Sequence, residues 1–396
     1  ENPAVCQGIW NLRDEFKGDR RTLVLLGPAF DLPAELAGDV LSLDEPLPTR
    51  EELTEIVADQ TQAAAASVEG YSVPIEAGRR SVDALAGLAA FPAEQALAMS
   101  LTREGIDTQG LWDRKRDLIE QTPGLSVWRG GDTFADVAGY ANIKQFMSLI
   151  LAGRDAPRVV VFVDEIEKAF SGASSAGGDT SGVSQGFHGT LLTYMQDTDA
   201  SGCIFIGPPG SGKSQVAKAV GSEGGVPTIA LDLSGMKASL VGESEARLRQ
   251  ALKVITAVGQ GQALWIATCN SIASLSPELR RRFKAGTFFF DLPSTDERAA
   301  IWSLYGWKFF GHECKERPPD DGWTGAEIRQ CCQLAYRLRC TLVEAAAYIV
   351  PVAKSAGATI QKLRKEADGK FISASEPGPY RYEERQAVAG RKVEVI

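Results

Sequence analysis

The sequence predicts an α/β fold in which a largely parallel sheet, flanked by helices, is followed by a small C-terminal helical subdomain. Three observations carry this expectation. Short apolar runs alternate with helix-length segments through the middle of the chain, a glycine-rich loop joins one such run to a helical pattern, and after Pro293 only helical periodicity remains. The strand candidates are residues 159–163, 203–206, 228–233, 263–267 and 287–291. The helical patterns among them cover 143–151, 189–196, 214–220 and 243–258. Beyond Pro293, residues 295–309, 325–338 and 341–350 read as helices, the last stopped by Pro351. From about Ser373 the chain carries Pro377, Gly378 and Pro379 with mixed charge, and is expected to be irregular or docked.

Composition narrows the function class. The 396 residues are 44 % hydrophobic and 23 % charged, ordinary for a globular chain of two or three domains. Acidic residues outnumber basic ones 51 to 42, a net charge of −9 that disfavours a nucleic-acid partner. The longest apolar runs, such as 159–163, fall far short of the roughly 18 residues of a membrane span. No signal-peptide pattern is present, and the start at Glu1 is expected to reflect a trimmed N-terminus. The seven cysteines include no C-x-x-C pair, so a reduced, cytoplasmic setting is expected. His312, Cys314, Cys331 and Cys332 can be grouped on paper as a zinc site, but no ligand spacing supports it.

Chemistry concentrates in four places. Gly207, Pro208, Pro209, Gly210, Ser211, Gly212, Lys213 and Ser214 form a phosphate loop directly between a strand candidate and a helix. Its glycines let backbone amides curl around a phosphate chain at a helix N-terminus. Lys213 is expected to reach the β- and γ-phosphates, and the Ser214 hydroxyl to ligate Mg²⁺. The run 159–163 ends in Asp164 and Glu165: Asp164 is the expected metal carboxylate and Glu165 the general base for an attacking water. Asn270, at the end of another strand candidate, can orient that water or touch the γ-phosphate, although turn asparagines are common. Finally, Arg280, Arg281 and Arg282 could form a solvated face. They could equally present a guanidinium to a neighbouring subunit's γ-phosphate, and Arg281 and Arg282 are favoured for that task.

Together these motifs resemble an AAA+ ATPase of the classical AAA type, over roughly residues 126–350. Trp323-Thr324-Gly325-Ala326-Glu327 resembles the opening of that family's lid, and Val241-Gly242-Glu243-Ser244-Glu245 the segment behind its first pore loop. Phe134-Ala135 followed by Asp136, Val137, Ala138 and Gly139 resembles the linker that lies against the adenine. The resemblance implies ATP and Mg²⁺, a P-loop NTPase sheet, and a homo-oligomeric ring, a hexamer in the family, acting on a protein substrate or through an adaptor. The leading part resembles the degenerate N-terminal module of plastid and cyanobacterial uncharacterised AAA proteins. There 22–26, 33–36 and 40–43 echo 264–268, 276–279 and 288–290, with ten residues between Leu25 and Glu35 as between Thr268 and Glu278. The implied domains are 1–125 (degenerate AAA-like module), 126–293 (nucleotide-binding α/β), 294–372 (lid) and 373–396 (tail).

The chain departs from the family in order. Asp164 precedes Lys213 by about fifty residues, whereas the family places the phosphate loop first. Moving 159–202 to follow Gly259 restores the usual order, so the domain reads as internally permuted, with its sheet expected to be unchanged. Leu240 stands where many relatives carry a pore aromatic, and Glu327 where many carry a nucleotide-sensing arginine, with Arg329 expected to face elsewhere. The Gly/Ser-rich tract 171–189 is either a second pore loop or a plain connector. Three functions follow: an ATP-hydrolysing ring that remodels a macromolecule, an ATP-switched assembly scaffold without threading, and a DNA-directed motor, which the acidic balance disfavours.

Overall fold

The computed structural model describes residues 3–26, 36, 38, 40, 41, 43, 46–68, 70–170, 183–237, 243–271 and 275–382. The chain divides into two units, Glu1–Pro46 and Leu47–Ile396. In the first, α1 (Pro3–Asp19) carries an Arg13 guanidinium 4.3 Å from the centre of the Trp10 ring. The strand expected over 22–26 is not formed. Residues 21–26 pair with no described strand and expose their apolar side chains, Leu26 by 93 %. A strand without a partner has nowhere to place its backbone hydrogen bonds. Residues 33–35, the turn of the expected repeat, lie outside the described residues.

The second unit opens with helices α2 (Arg50–Ser67), α3 (Ile75–Leu85) and α4 (Ala90–Ala98), the small hairpin β1 (Leu101–Thr102) and β2 (Gly105–Ile106), and α5 (Thr108–Glu120). Leu53, Val57, Val82, Leu85, Leu97 and Leu111 make a separate core for these helices. Next come β3 (Leu125–Val127), a 3₁₀ turn at Phe134–Asp136, α6 (Ala141–Leu151), β4 (Val159–Val163) and α7 (Ile166–Phe170). They are followed by α8 (Val183–Asp197), β5 (Ser201–Ile206), α9 (Lys213–Gly224), β6 (Thr228–Leu231) and α10 (Leu233–Lys237). The α/β part continues with α11 (Glu243–Gly259), β7 (Ala263–Cys269), α12 (Pro277–Arg282) and β8 (Gly286–Phe289).

The main sheet runs β3-β6-β4-β7-β5-β8, with a short final strand, β9 (Ile372–Ser373), beyond β8. All its pairings are parallel except β3 with β6. All five β4 residues are buried because both faces of the sheet are covered, as parallel sheets require. Val159, Val161 and Val163 face one core, with residues of α7, α8 and α11; Val160 and Phe162 face the other, with residues of α6 and α9. The strand β7 therefore lies between β4 and β5, in parallel register with both: Val163 pairs Ala267 and Ile206 pairs Cys269.

The helices of the span expected to be a lid are α13 (Thr295–Phe310), α14 (Gly325–Leu338), α15 (Leu342–Ala346) and α16 (Val352–Ser355). Three capping boxes start its longer helices: Ser294 with Glu297, Thr324 with Glu327, and Thr341 with Glu344. Its core gathers Trp302, Trp323 and Ile328 with Cys314, Cys331 and Cys332. All seven cysteines are free thiols. Among the described residues no group of three or more His, Cys, Asp or Glu could hold a metal, and His312 is exposed, so the zinc grouping is not formed. Likewise no described helix is long and apolar enough to cross a membrane.

Where the lid ends differs from expectation. Leu363 and Ala367 of α17 (Gly357–Ala367) pack into the sheet core, and β9 adds to the sheet edge. The segment after Ser373 is docked: Tyr380 is buried there and its hydroxyl donates to Asp291 over 2.6 Å. Asp291 also accepts from Arg364 Nε at 2.8 Å, so both ends of this segment are tied to one carboxylate.

Candidate active site

The phosphate loop is shaped by backbone demands that glycine alone meets cheaply. Gly210 and Gly212 have φ of +78° and +91°, in the left-handed region, and a Cβ on Gly207 would sit 2.1 Å from the Phe290 carbonyl oxygen. The loop turns directly into α9, whose first residue is Lys213. The Lys213 ammonium is buried and donates to the Gly207 and Pro208 carbonyls at 2.7 and 2.9 Å and to Asn270 Oδ1 at 3.1 Å. Burial pushes its pKa down to about 8, opposed by nearby acidic groups, Glu167 foremost.

Sheet register brings the other carriers of chemistry to the same edge. The Ser214 hydroxyl donates to Asp164 Oδ1 over 2.8 Å. Thr268, buried at the end of β7, donates to the same oxygen at 2.5 Å and accepts the Glu165 amide at 2.8 Å. Asn270 links the two halves: its Nδ2 donates to Glu165 Oε1 at 3.1 Å, its Oδ1 accepts from Lys213, and its amide donates to Glu167 Oε1 at 3.0 Å. Glu165 has φ of +47°, unusual for a non-glycine residue and stabilised here by the Thr268 bond. Its second oxygen pairs with Lys168, whose pKa this contact raises.

These groups line a cleft of about 500 Å³. Its floor is Pro209 to Gln215 with Asp164, Glu165, Thr268 and Asn270, and one wall is Val137, Ala138 and Tyr140. The lid supplies the opposite wall: Ile301, Leu304 and Tyr305 from α13, and Gly325, Ala326, Arg329, Gln330 and Gln333 from α14. Ser211 Oγ is buried in the loop without a hydrogen-bond partner among the described residues. The donor set fits Mg²⁺, a hard cation that takes one or two protein oxygens plus phosphate and water; here these are the Ser214 hydroxyl and the Asp164 carboxylate.

Several expected residues stand elsewhere. Gly207 and Pro208 lie beneath Lys213 rather than on the cleft wall. Of the linker, Val137 and Ala138 line the cleft. Asp136 instead caps Thr133 through its carboxylate, while its carbonyl accepts from Gln215, and Gly139 packs on Glu297. Arg280 and Arg281 are exposed on α12, and Arg282 donates to Gln196 at 2.7 Å; none lines this chain's own cleft. Glu327 does not face the cleft either. It is buried and accepts the Thr324 and Val352 amides at 2.7 and 2.5 Å. Arg329, expected to face elsewhere, lines the cleft, because residues 325, 326, 329, 330 and 333 share one face of α14. Leu240, Val241 and Gly242, and residues 171–182 of the Gly/Ser-rich tract, lie outside the described residues.

Nothing in the sequence marks Tyr140 or the glutamines of α14, Thr268 stands out there only as a marker of the repeat, and Arg329 is expected to face elsewhere. The Thr268 role follows from strand register, and only the tertiary fold turns Arg329 toward the loop.

Residues 203–259 match the sequence model of the ATPase family associated with various cellular activities (AAA). The chain is 22 % identical to the uncharacterized AAA domain-containing protein ycf46 of Guillardia theta, over 94 % of this chain and 78 % of that protein. It is 24 % identical to the ycf46 protein of Trieres chinensis, over 83 % of this chain and 68 % of that protein. Among solved structures, the FIGL-1 AAA domain and its complex with ADP overlay with TM-scores of 0.36 and 0.35 at 17 % and 18 % identity. These overlays cover 63 % and 62 % of this chain and 94 % and 96 % of those chains.

Proposed function

We propose that this chain is an AAA-type ATPase that hydrolyses ATP with Mg²⁺ as a homo-oligomeric ring, each cleft completed by arginines of the neighbouring copy, and that it uses turnover to remodel a protein substrate. One observation carries the reading: Lys213, Asn270 and Glu165 on one side and Ser214 and Asp164 on the other are joined through Thr268 into one hydrogen-bonded network, although Asp164 and Glu165 precede the phosphate loop in the chain. The reordered chain fits an internal permutation in which the connections change and the strands keep their places.

In this reading the loop amides and Lys213 hold the β- and γ-phosphates, while Val137, Ala138, Ile301 and Leu304 enclose the base. Ser214 and Asp164 would hold the metal, which when bound would offset phosphate charge. Glu165 takes the proton of the attacking water, a role worth about 10²–10⁴ in rate. Asn270 fixes the Glu165 carboxylate and marks the γ-phosphate position. Arg329 adds a cation from the lid. Arg281 and Arg282, which do not line their own cleft, would in this reading act on a neighbour's, a contribution of about 10³–10⁵. The net charge of −9 favours protein over nucleic acid as the remodelled partner.

The test is ATP turnover per subunit as protein concentration rises, for the wild type, Glu165→Gln and the Arg281→Ala/Arg282→Ala double variant. Specific activity should climb with concentration in the wild type and be lost in both variants, with ATP binding retained. Wild-type turnover by Glu165→Gln would overturn the site, and full activity of the double variant would overturn the shared cleft.

A further inference from the structure

We infer that Tyr140 is a positioning residue that ties the phosphate loop to the lid; the inference rests on the cleft being the nucleotide site. Tyr140 is buried, and its hydroxyl donates to the Ser211 carbonyl inside the loop. Its ring lies 4.8 Å from that of Phe290 and against Gly212. Its backbone is left-handed (φ 57°, ψ 45°), a conformation that a non-glycine residue adopts only where its surroundings over-determine it. One such surrounding bond is to the lid: the Tyr140 amide donates to Glu297 Oε1 at 3.1 Å.

Glu297 closes the capping box of α13, with Oε2 accepting the Ser294 amide at 2.9 Å, and its Oε1 also accepts the Ser375 hydroxyl at 2.6 Å. One residue therefore holds the loop through its side chain and the first lid helix through its main chain. The Ser211 carbonyl is kept turned toward the phenol, which leaves the loop amides free to face phosphate. Any swing of α13 moves Glu297, and the shift passes through the Tyr140 main chain to Ser211. Coupling of this kind is reciprocal: a ligand that fixes the loop must also bias the lid. If Tyr140 only filled space between α6 and β8, phenylalanine would serve as well.

Isothermal titration of ATP into the wild-type chain, Tyr140→Phe, Glu297→Ala, the double variant and Ser294→Ala separates the two roles, with thermal unfolding followed in parallel. Tyr140→Phe should weaken ATP binding about tenfold, the usual consequence of losing one buried hydrogen bond that organises a site. In turnover it should raise KM while leaving kcat within about twofold. Glu297→Ala should weaken binding similarly, and the double variant should be no weaker than the worse single variant, since both cut one path. Ser294→Ala, which removes only the cap hydroxyl, should bind as the wild type does. Wild-type affinity in Tyr140→Phe, or effects that multiply in the double variant, would overturn the proposal. Should Tyr140→Phe not fold, equal losses in Glu297→Ala and Ser294→Ala would overturn it. A wild type that binds no ATP overturns the nucleotide reading itself, a result visible before any variant is compared.

Discussion

The Ser214 hydroxyl donates to Asp164 Oδ1 over 2.8 Å, across fifty residues of chain in the reverse of the expected order. The contact follows from the sheet. Strand β7 lies between β4 and β5, so the ends of all three strands open on one edge, and the loops after them meet there. Ligands of open α/β sheets bind outside the carboxyl ends of the strands for this reason, whichever strand comes first.

Thr268 holds Asp164 and the Glu165 amide through one hydroxyl. Replacing it by valine leaves that amide without its acceptor and removes one of the two hydrogen bonds on Asp164 Oδ1, the other coming from Ser214. Turnover should fall about 10–100-fold, as for other residues that support a metal ligand, with a raised Mg²⁺ requirement. Thr268→Ser should restore most of the loss. Steady-state rates across a Mg²⁺ titration check both.

Nucleotide affinity should depend on pH through Lys213. Its pKa in the free protein is pushed down to about 8, and bound phosphate favours the charged ammonium and raises it. Below pH 8 the lysine is already charged and affinity is flat. Above pH 8 binding must take up a proton, so affinity falls by at most about tenfold per pH unit. Calorimetry at pH 9 in buffers of different ionisation enthalpy should detect that uptake, whereas none is expected at pH 6.5.

Arg329 and Glu327 should fail differently. Arg329 lines the cleft from an exposed position and has no hydrogen bond or ion pair among the described residues, so Arg329→Ala should raise KM for ATP with little change in Tm. Glu327 is buried with two backbone amides on its carboxylate, and Glu327→Ala leaves both unpaired. That should destabilise the protein by about 1–3 kcal/mol. Paired melting curves and ATP titrations distinguish the two.

Lys115 should make stability rise with pH. It is 2 % exposed, its ammonium donates to the Asp83 carbonyl at 3.2 Å, and it lies 4.7 Å from the Trp112 ring centre. Burial lowers its pKa to about 7, so the unfolded chain binds the extra proton between about pH 7 and the ordinary lysine value near 10.5. Stability contributed by this site is least below pH 7 and grows across that window. Lys115→Met should raise Tm at pH 6, and its advantage should shrink as pH rises toward 10.

The sequence by itself determined the alternation of strand and helix, the phosphate loop and the strand-end carboxylates, because these are local patterns. The run 159–163 is apolar throughout since β4 is covered on both faces, and Gly210 and Gly212 are required where φ is positive. Residues 295–309 read as a helix, and the Ser294–Glu297 capping box that starts it is also legible locally. Local pattern misled where pairing decides. Residues 22–26 look like a strand yet have no described strand beside them, and 372–373 join the sheet only because β8 offers an edge. Side-chain direction was beyond sequence too: Glu327 and Arg329 are two residues apart on one helix, and its packing alone decides which of them faces the cleft. The same holds for Tyr140, whose bonds reach 71 residues forward to the loop and 157 to the lid. Tertiary structure decided these points because strand order, helix rotation and long-range hydrogen bonds depend on partners distant in the chain, which no local spacing encodes.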